Sequence, residues 1–179
     1  DARHLLALVD LQEGKPQAAA VSLEKLCREA PKNADLWRNL GVAELSCGNP
    51  DRARESLEQG LALAPKNAEL AFNAGVAAAA GGDRAAARSY YERAVELQPR
   101  LNAARNNLGA LLVKEGEYGA ALPHLEAATA TPGAPDIAHC NHANALERVN
   151  RLDEAVAALA RVRDGARPEP TLVGARLAR

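Results

Sequence analysis

Apolar and small residues recur along this chain at helical spacing. Between Asn33 and Asn67, Trp37, Leu40, Gly41, Glu44 and Leu45 fall at that spacing. Gly48 stops this first helix, Pro50 and Asp51 open a second, and Pro65 ends it after Ala53, Leu57, Leu61 and Leu63. The segment therefore predicts two antiparallel helices joined by a short turn. Small residues at Gly41 and Ala53 let the two approach closely, while Trp37 and Leu57 fill the flanks. Such a pair cannot bury its own apolar face and must stack on neighbours.

The neighbours are copies of the same pattern, repeated every 34 residues. One alanine keeps its phase five times, as Ala19, Ala53, Ala87, Ala121 and Ala155. The turn residue recurs as Gly14, Gly48, Gly82 and Gly116 and becomes Asn150, the next best residue for a left-handed helix end. The repeats are placed at 1–33, 34–67, 68–101, 102–135 and 136–169. Together they form a single domain over 1–179, in which 170–179 is a capping helix or a truncated sixth repeat. In that tail Leu172, Val173, Leu177 and Ala178 keep helical spacing. The fourth repeat closes with Pro132 and Pro135 instead of a single proline, which predicts an early end to its second helix.

Composition agrees with an all-helical reading. Hydrophobic residues make up 47% of the 179 and charged residues 25%, normal for a folded chain. Aromatics are only 3%, and alanine, the strongest helix former, takes their place. A net charge of −1 lacks the excess of Lys and Arg that nucleic acid or an anionic membrane surface requires, so neither is expected as a partner. No apolar run reaches the roughly 20 residues needed to span a bilayer. Cys27, Cys47 and Cys140 fit neither a disulfide framework nor a zinc knuckle and are expected to be reduced. The chain has no Met and begins at Asp1, so it reads as a processed or excised piece; a cytoplasmic location is expected. Its Ala- and Arg-rich composition points to a high-GC bacterial source.

On these residues the chain resembles the tetratricopeptide repeat (TPR) family. The family pattern W-x2-L-G-x2-Y, A-x3-F-x2-A and a closing P appears as Trp37-x2-Leu40-Gly41, Ala53-x3-Leu57-x2-Gly60 and Pro65, with Glu44, Ala78 and Leu112 where the family has Tyr. The resemblance implies an all-α fold, a right-handed superhelical solenoid of antiparallel helix pairs whose first helices line a concave groove. It also implies a protein–protein interaction module that binds a peptide or protein segment in that groove.

The residue before each Leu-Gly position faces that groove by resemblance, and here it is Asn39, Asn73, Asn107 and Asn141. A side-chain amide offers both a donor and an acceptor, which suits the backbone of an extended peptide. The same amides could instead hydrogen-bond the neighbouring helix. Specificity is expected from Arg38, Phe72, Asn106, Lys114, Asn144 and Arg148, a set that suits a hydrophobic anchor at one end and acidic residues at the other. Members that hold acidic chaperone tails need several inward Lys or Arg; Arg38, Val42, Asn73, Ala103 and Asn107 supply only fragments of that clamp, so no such binding is expected.

Enzyme motifs are absent: there is no GxxxxGK[ST], GxGxxG, GxSxG or HExxH, and Ser22, Ser46, Ser56 and Ser89 each lack a nearby His. No catalysis and no cofactor are expected. His139, Cys140 and His142 could begin a zinc site, with His124 the one further candidate, but the two histidines also stand where the repeat wants core residues, so no metal is expected. Two other readings remain. The chain could be the substrate-docking arm of a larger glycosyltransferase or sulfotransferase, or it could self-associate through the ends of its solenoid.

Overall fold

The computed structural model describes residues 2–162, and the tail segment 170–179 lies outside them. The described residues are helical with no strand. Two compact units are distinguished, Asp1–Pro99 and the chain from Arg100 onward. The first unit holds α1 (Ala2–Gln12), α2 (Pro16–Glu29), α3 (Ala34–Ser46), α4 (Pro50–Leu63), α5 (Ala68–Ala80) and α6 (Arg84–Leu97). The second holds α7 (Asn102–Glu115), α8 (Tyr118–Thr129), α9 (Asp136–Arg148) and α10 (Leu152–Leu159).

Local chemistry sets the helix ends. Pro16 and Pro50 open α2 and α4 at their first position, where a missing N–H costs nothing. The side chains of Asn33, Asn67 and Asp83 accept from the backbone N–H of Asp35, Leu70 and Ala86 at 3.1, 3.1 and 3.0 Å and so cap α3, α5 and α6. The turns adopt the left-handed conformation the sequence called for, with φ of +73° to +83° at Gly14, Gly48, Gly82 and Gly116 and +62° at Asn150. In the fourth repeat α8 stops at Thr129, three residues before Pro132.

Packing in each unit follows the repeat. In the first, each helix packs on the next, and first helices also touch one another, α1 with α3 and α3 with α5. In the second unit α7, α8, α9 and α10 pack in succession, and α7 also meets α9. The in-phase alanines Ala19, Ala53, Ala87, Ala121 and Ala155 are all fully buried. Four residues further on, Leu23, Leu57, Tyr91, Leu125 and Leu159 are buried in every repeat. The glycines explain how the helices come so close: a Cβ at Gly41 would lie 2.5 Å from Leu57, one at Gly75 2.6 Å from Tyr91, and one at Gly109 2.5 Å from Leu125. One feature of α8 was not anticipated, an exposed proline, Pro123, inside the helix.

Candidate functional site

The four repeat asparagines, all on first helices, have different environments. In the first unit Asn39 is buried, and its Nδ2 donates to Nε2 of His4 on α1 at 2.7 Å. Asn73 on α5 is half-buried and has no side-chain hydrogen bond among the described residues. Beside it, the Phe72 ring packs at a 37° tilt on Tyr91, centroids 6.1 Å apart. Arg38 on α3 reaches across to Glu69 on α5 and also stands 3.5 Å from Asp35. The first-helix face of this unit thus presents a half-buried aromatic, an ion pair and one uncommitted amide.

In the second unit the asparagines form a chain. Asn141 on α9 donates to Oδ1 of Asn106 on α7 at 3.0 Å, and Asn106 donates to Oδ1 of Asn107 at 3.2 Å. Lys114, Asn144 and Arg148 are exposed. Hydrogen bonding to the preceding first helix therefore accounts for Asn39 and Asn141, while Asn73 makes no such bond.

Both histidines of α9 are at least partly buried. His139 is 6% exposed, and its Nδ1 is buried without a partner. Nδ1 of His142 stands 3.3 Å from Thr129 Oγ1 on α8. Burial holds both imidazoles below their ordinary pKa, with Arg161 adding to the effect at His139 and Glu126 opposing it at His142. Among the described residues no group of three or more His, Cys, Asp or Glu is arranged to hold a metal ion. All three cysteines are free thiols. Burial, helped by Glu44 and Glu24, pushes the Cys27 thiol up to about 11, which keeps it protonated and unreactive at neutral pH.

Sequence reasoning passed over one polar cluster. Glu44 on α3 is 3% exposed, accepts from Ser56 Oγ on α4 at 2.8 Å, and lies 3.3 Å from Nη2 of Arg52. Burial raises its carboxyl pKa, while Ser56 and Arg52 act against that rise. A cavity of about 480 Å³ opens beside it. The signal was present in the sequence as a glutamate at a position where the pattern wants a large apolar or aromatic residue. No helix among the described residues is long and apolar enough to cross a membrane.

Three family profiles, each described as a tetratricopeptide repeat, match residues 10–77, 74–135 and 137–161. Among solved structures the chain is similar to MamA, with 24% identity and a TM-score of 0.75 over 86% of this chain and 90% of MamA. It is similar to pilF of Pseudomonas aeruginosa, with 22% identity and a TM-score of 0.83 over 99% of this chain and 82% of that one. It is also similar to YrrB, described as a TPR protein with an unusual peptide-binding site, at 18% identity and a TM-score of 0.72 over 98% and 90% of the two chains. At these identities the likeness establishes the fold alone. No curated protein sequence matches the chain significantly.

Proposed function

Because the chain belongs to the tetratricopeptide repeat family, we propose that it is a protein-interaction module whose exposed first-helix faces hold an extended peptide segment. Asn73 carries this reading. Its amide is uncommitted on a face flanked by Phe72 and the Arg38–Glu69 pair, so it can donate to and accept from a peptide backbone without breaking a bond within the fold. Phe72 would contribute apolar contact to the same segment. In the second unit the exposed Lys114, Asn144 and Arg148 would favour acidic residues in the ligand. YrrB, described as having a peptide-binding site, lends support by analogy of fold.

The test compares two asparagines of different environment, using a peptide selected from a display library on the purified chain. Asn73→Ala removes up to two hydrogen bonds made only in the complex, each worth about 0.5–1.5 kcal/mol net. Its affinity by calorimetry should fall about tenfold while the melting temperature holds. Asn39→Ala removes a buried amide and strips the partly buried His4 of its partner, and should lower the melting temperature with little effect on affinity. Unchanged affinity in Asn73→Ala would overturn the reading.

A further inference from the structure

The cavity beside Glu44 has an origin in the repeat itself. It lies between the second helices α2 and α4, over α3, and Trp37, Leu40, Glu44, Arg52, Ser56 and Glu24 line it. One repeat later, Tyr90 stands at the phase of Ser56 and Ala78 at the phase of Glu44. Tyr90 extends from α6 to α4 and donates its hydroxyl to Glu58 at 2.8 Å. Glu24 on α2 occupies the phase of Glu58. The earlier repeat therefore keeps the receiving carboxylate, lacks the long side chain that reaches it, and adds a buried carboxylate to the floor.

What the space lacks is a long side chain with an apolar stem and a hydrogen-bond donor at its tip. Its charge selects further. Glu24, Glu44 and Glu55 face Arg28 and Arg52 around the opening, which leaves one negative charge in excess. Arg28 is committed to Glu24 at 2.9 Å. Arg52 reaches Glu44 at 3.3 Å and Glu24 at 3.9 Å from a side chain 59% exposed, so a guanidinium already meets both carboxylates, loosely and from the rim. The indole of Trp37, fixed by its Nε1 donating to the Pro31 carbonyl at 2.8 Å, supplies an aromatic wall. Guanidinium matches this set better than ammonium, since its planar fork pairs with carboxylates and stacks on aromatic rings.

We propose that this cavity is a docking site for an arginine side chain of a partner protein, seated between α2 and α4 with its guanidinium on Glu44 and Glu24. The bound cation would displace Arg52 toward solvent. Because the carboxyl of Glu44 is held above its ordinary pKa by burial, binding should weaken as acidification protonates it.

Trp37 is the sole tryptophan of the chain and lines the cavity, so its fluorescence reports occupancy. The probe is N-acetyl-arginine amide, titrated into the full chain at constant ionic strength, with the uncharged N-acetyl-citrulline amide alongside. The arginine compound should give a saturable change and raise the melting temperature, and the citrulline compound should give neither. The double change Glu44→Ala with Ser56→Tyr rebuilds the Tyr90 and Ala78 arrangement, so the chain should stay folded and lose the response. Arg52→Ala removes the competing cation and should tighten binding by up to about fivefold. The proposal is overturned by no saturable change with the arginine compound, an equal change with citrulline, a response retained in the double variant, or weaker binding in Arg52→Ala.

Discussion

Gly41, Gly75 and Gly109 are followed sixteen residues later by Leu57, Tyr91 and Leu125, and in each case the large side chain presses on the glycine backbone. The close approach at Gly41 was legible from its 34-residue phase, but Leu57, expected to fill a flank, is the residue that meets it. A methyl group at Gly109 would stand 2.5 Å from Leu125 Cγ, so the leucine or the helix must move. Overpacking of this kind costs about 1–3 kcal/mol, set against a helix-propensity gain of about 1 kcal/mol for Gly to Ala. Gly109→Ala should therefore show a lower midpoint in urea unfolding, and an unchanged or raised midpoint would refute the close approach. The environments of the asparagines were less legible. Asn39 and Asn73 share one phase, yet only Asn39 faces a histidine, because His4 comes from a different repeat at a different phase. Glu44 was noticed as a departure from the pattern, but its cavity depends on the absence of a tyrosine at position 56, which only comparison with Tyr90 in its folded place reveals.

At the scale of helices, turn residues and prolines marked the boundaries read from the sequence, since Gly, Asn and Pro act through local backbone geometry. Pro123 broke that rule. It sits inside α8 yet does not end it, since the packing of Ala121, Leu122 and Leu125 on the helix's buried face holds the turn together. Pro costs about 3 kcal/mol relative to Ala in a helix interior, partly offset by about 1 kcal/mol from its stiffening of the unfolded chain. Pro123→Ala should thus stabilise by about 2 kcal/mol on that balance, read as a raised urea midpoint; destabilisation would mean that the ring makes a contact the helix needs. Helix α9 predicts a pH dependence. His139 and His142 both have folded pKa values depressed by burial, so the unfolded chain binds protons that the folded chain refuses. Their contribution is fully present above the ordinary histidine value of about 6.5 and is lost as pH falls through it toward the folded values. Amide protection of α9 in hydrogen exchange should accordingly drop between neutral and mildly acidic pH, and His142→Leu should flatten the drop. A protection that rises on acidification would contradict the assignment.

Across the whole molecule, the 34-residue phase passes through Pro99 and Arg100 without a slip, although these residues mark the division between the two compact units. The family and the all-helical fold were legible because a repeat multiplies a weak local signal: each motif alone is degenerate, and their common register is not. Function was less legible, because the same fold carries different ligands and a repeat pattern alone does not select among them. Peptide binding on the first helices can be read residue by residue. In a ¹H–¹⁵N spectrum of the chain titrated with a selected peptide, shift changes should concentrate on α3 and α5 around Arg38, Phe72 and Asn73, and on the corresponding faces of α7 and α9. Changes confined to the second helices α2, α4, α6, α8 and α10, with the amides around Asn73 unmoved, would contradict it.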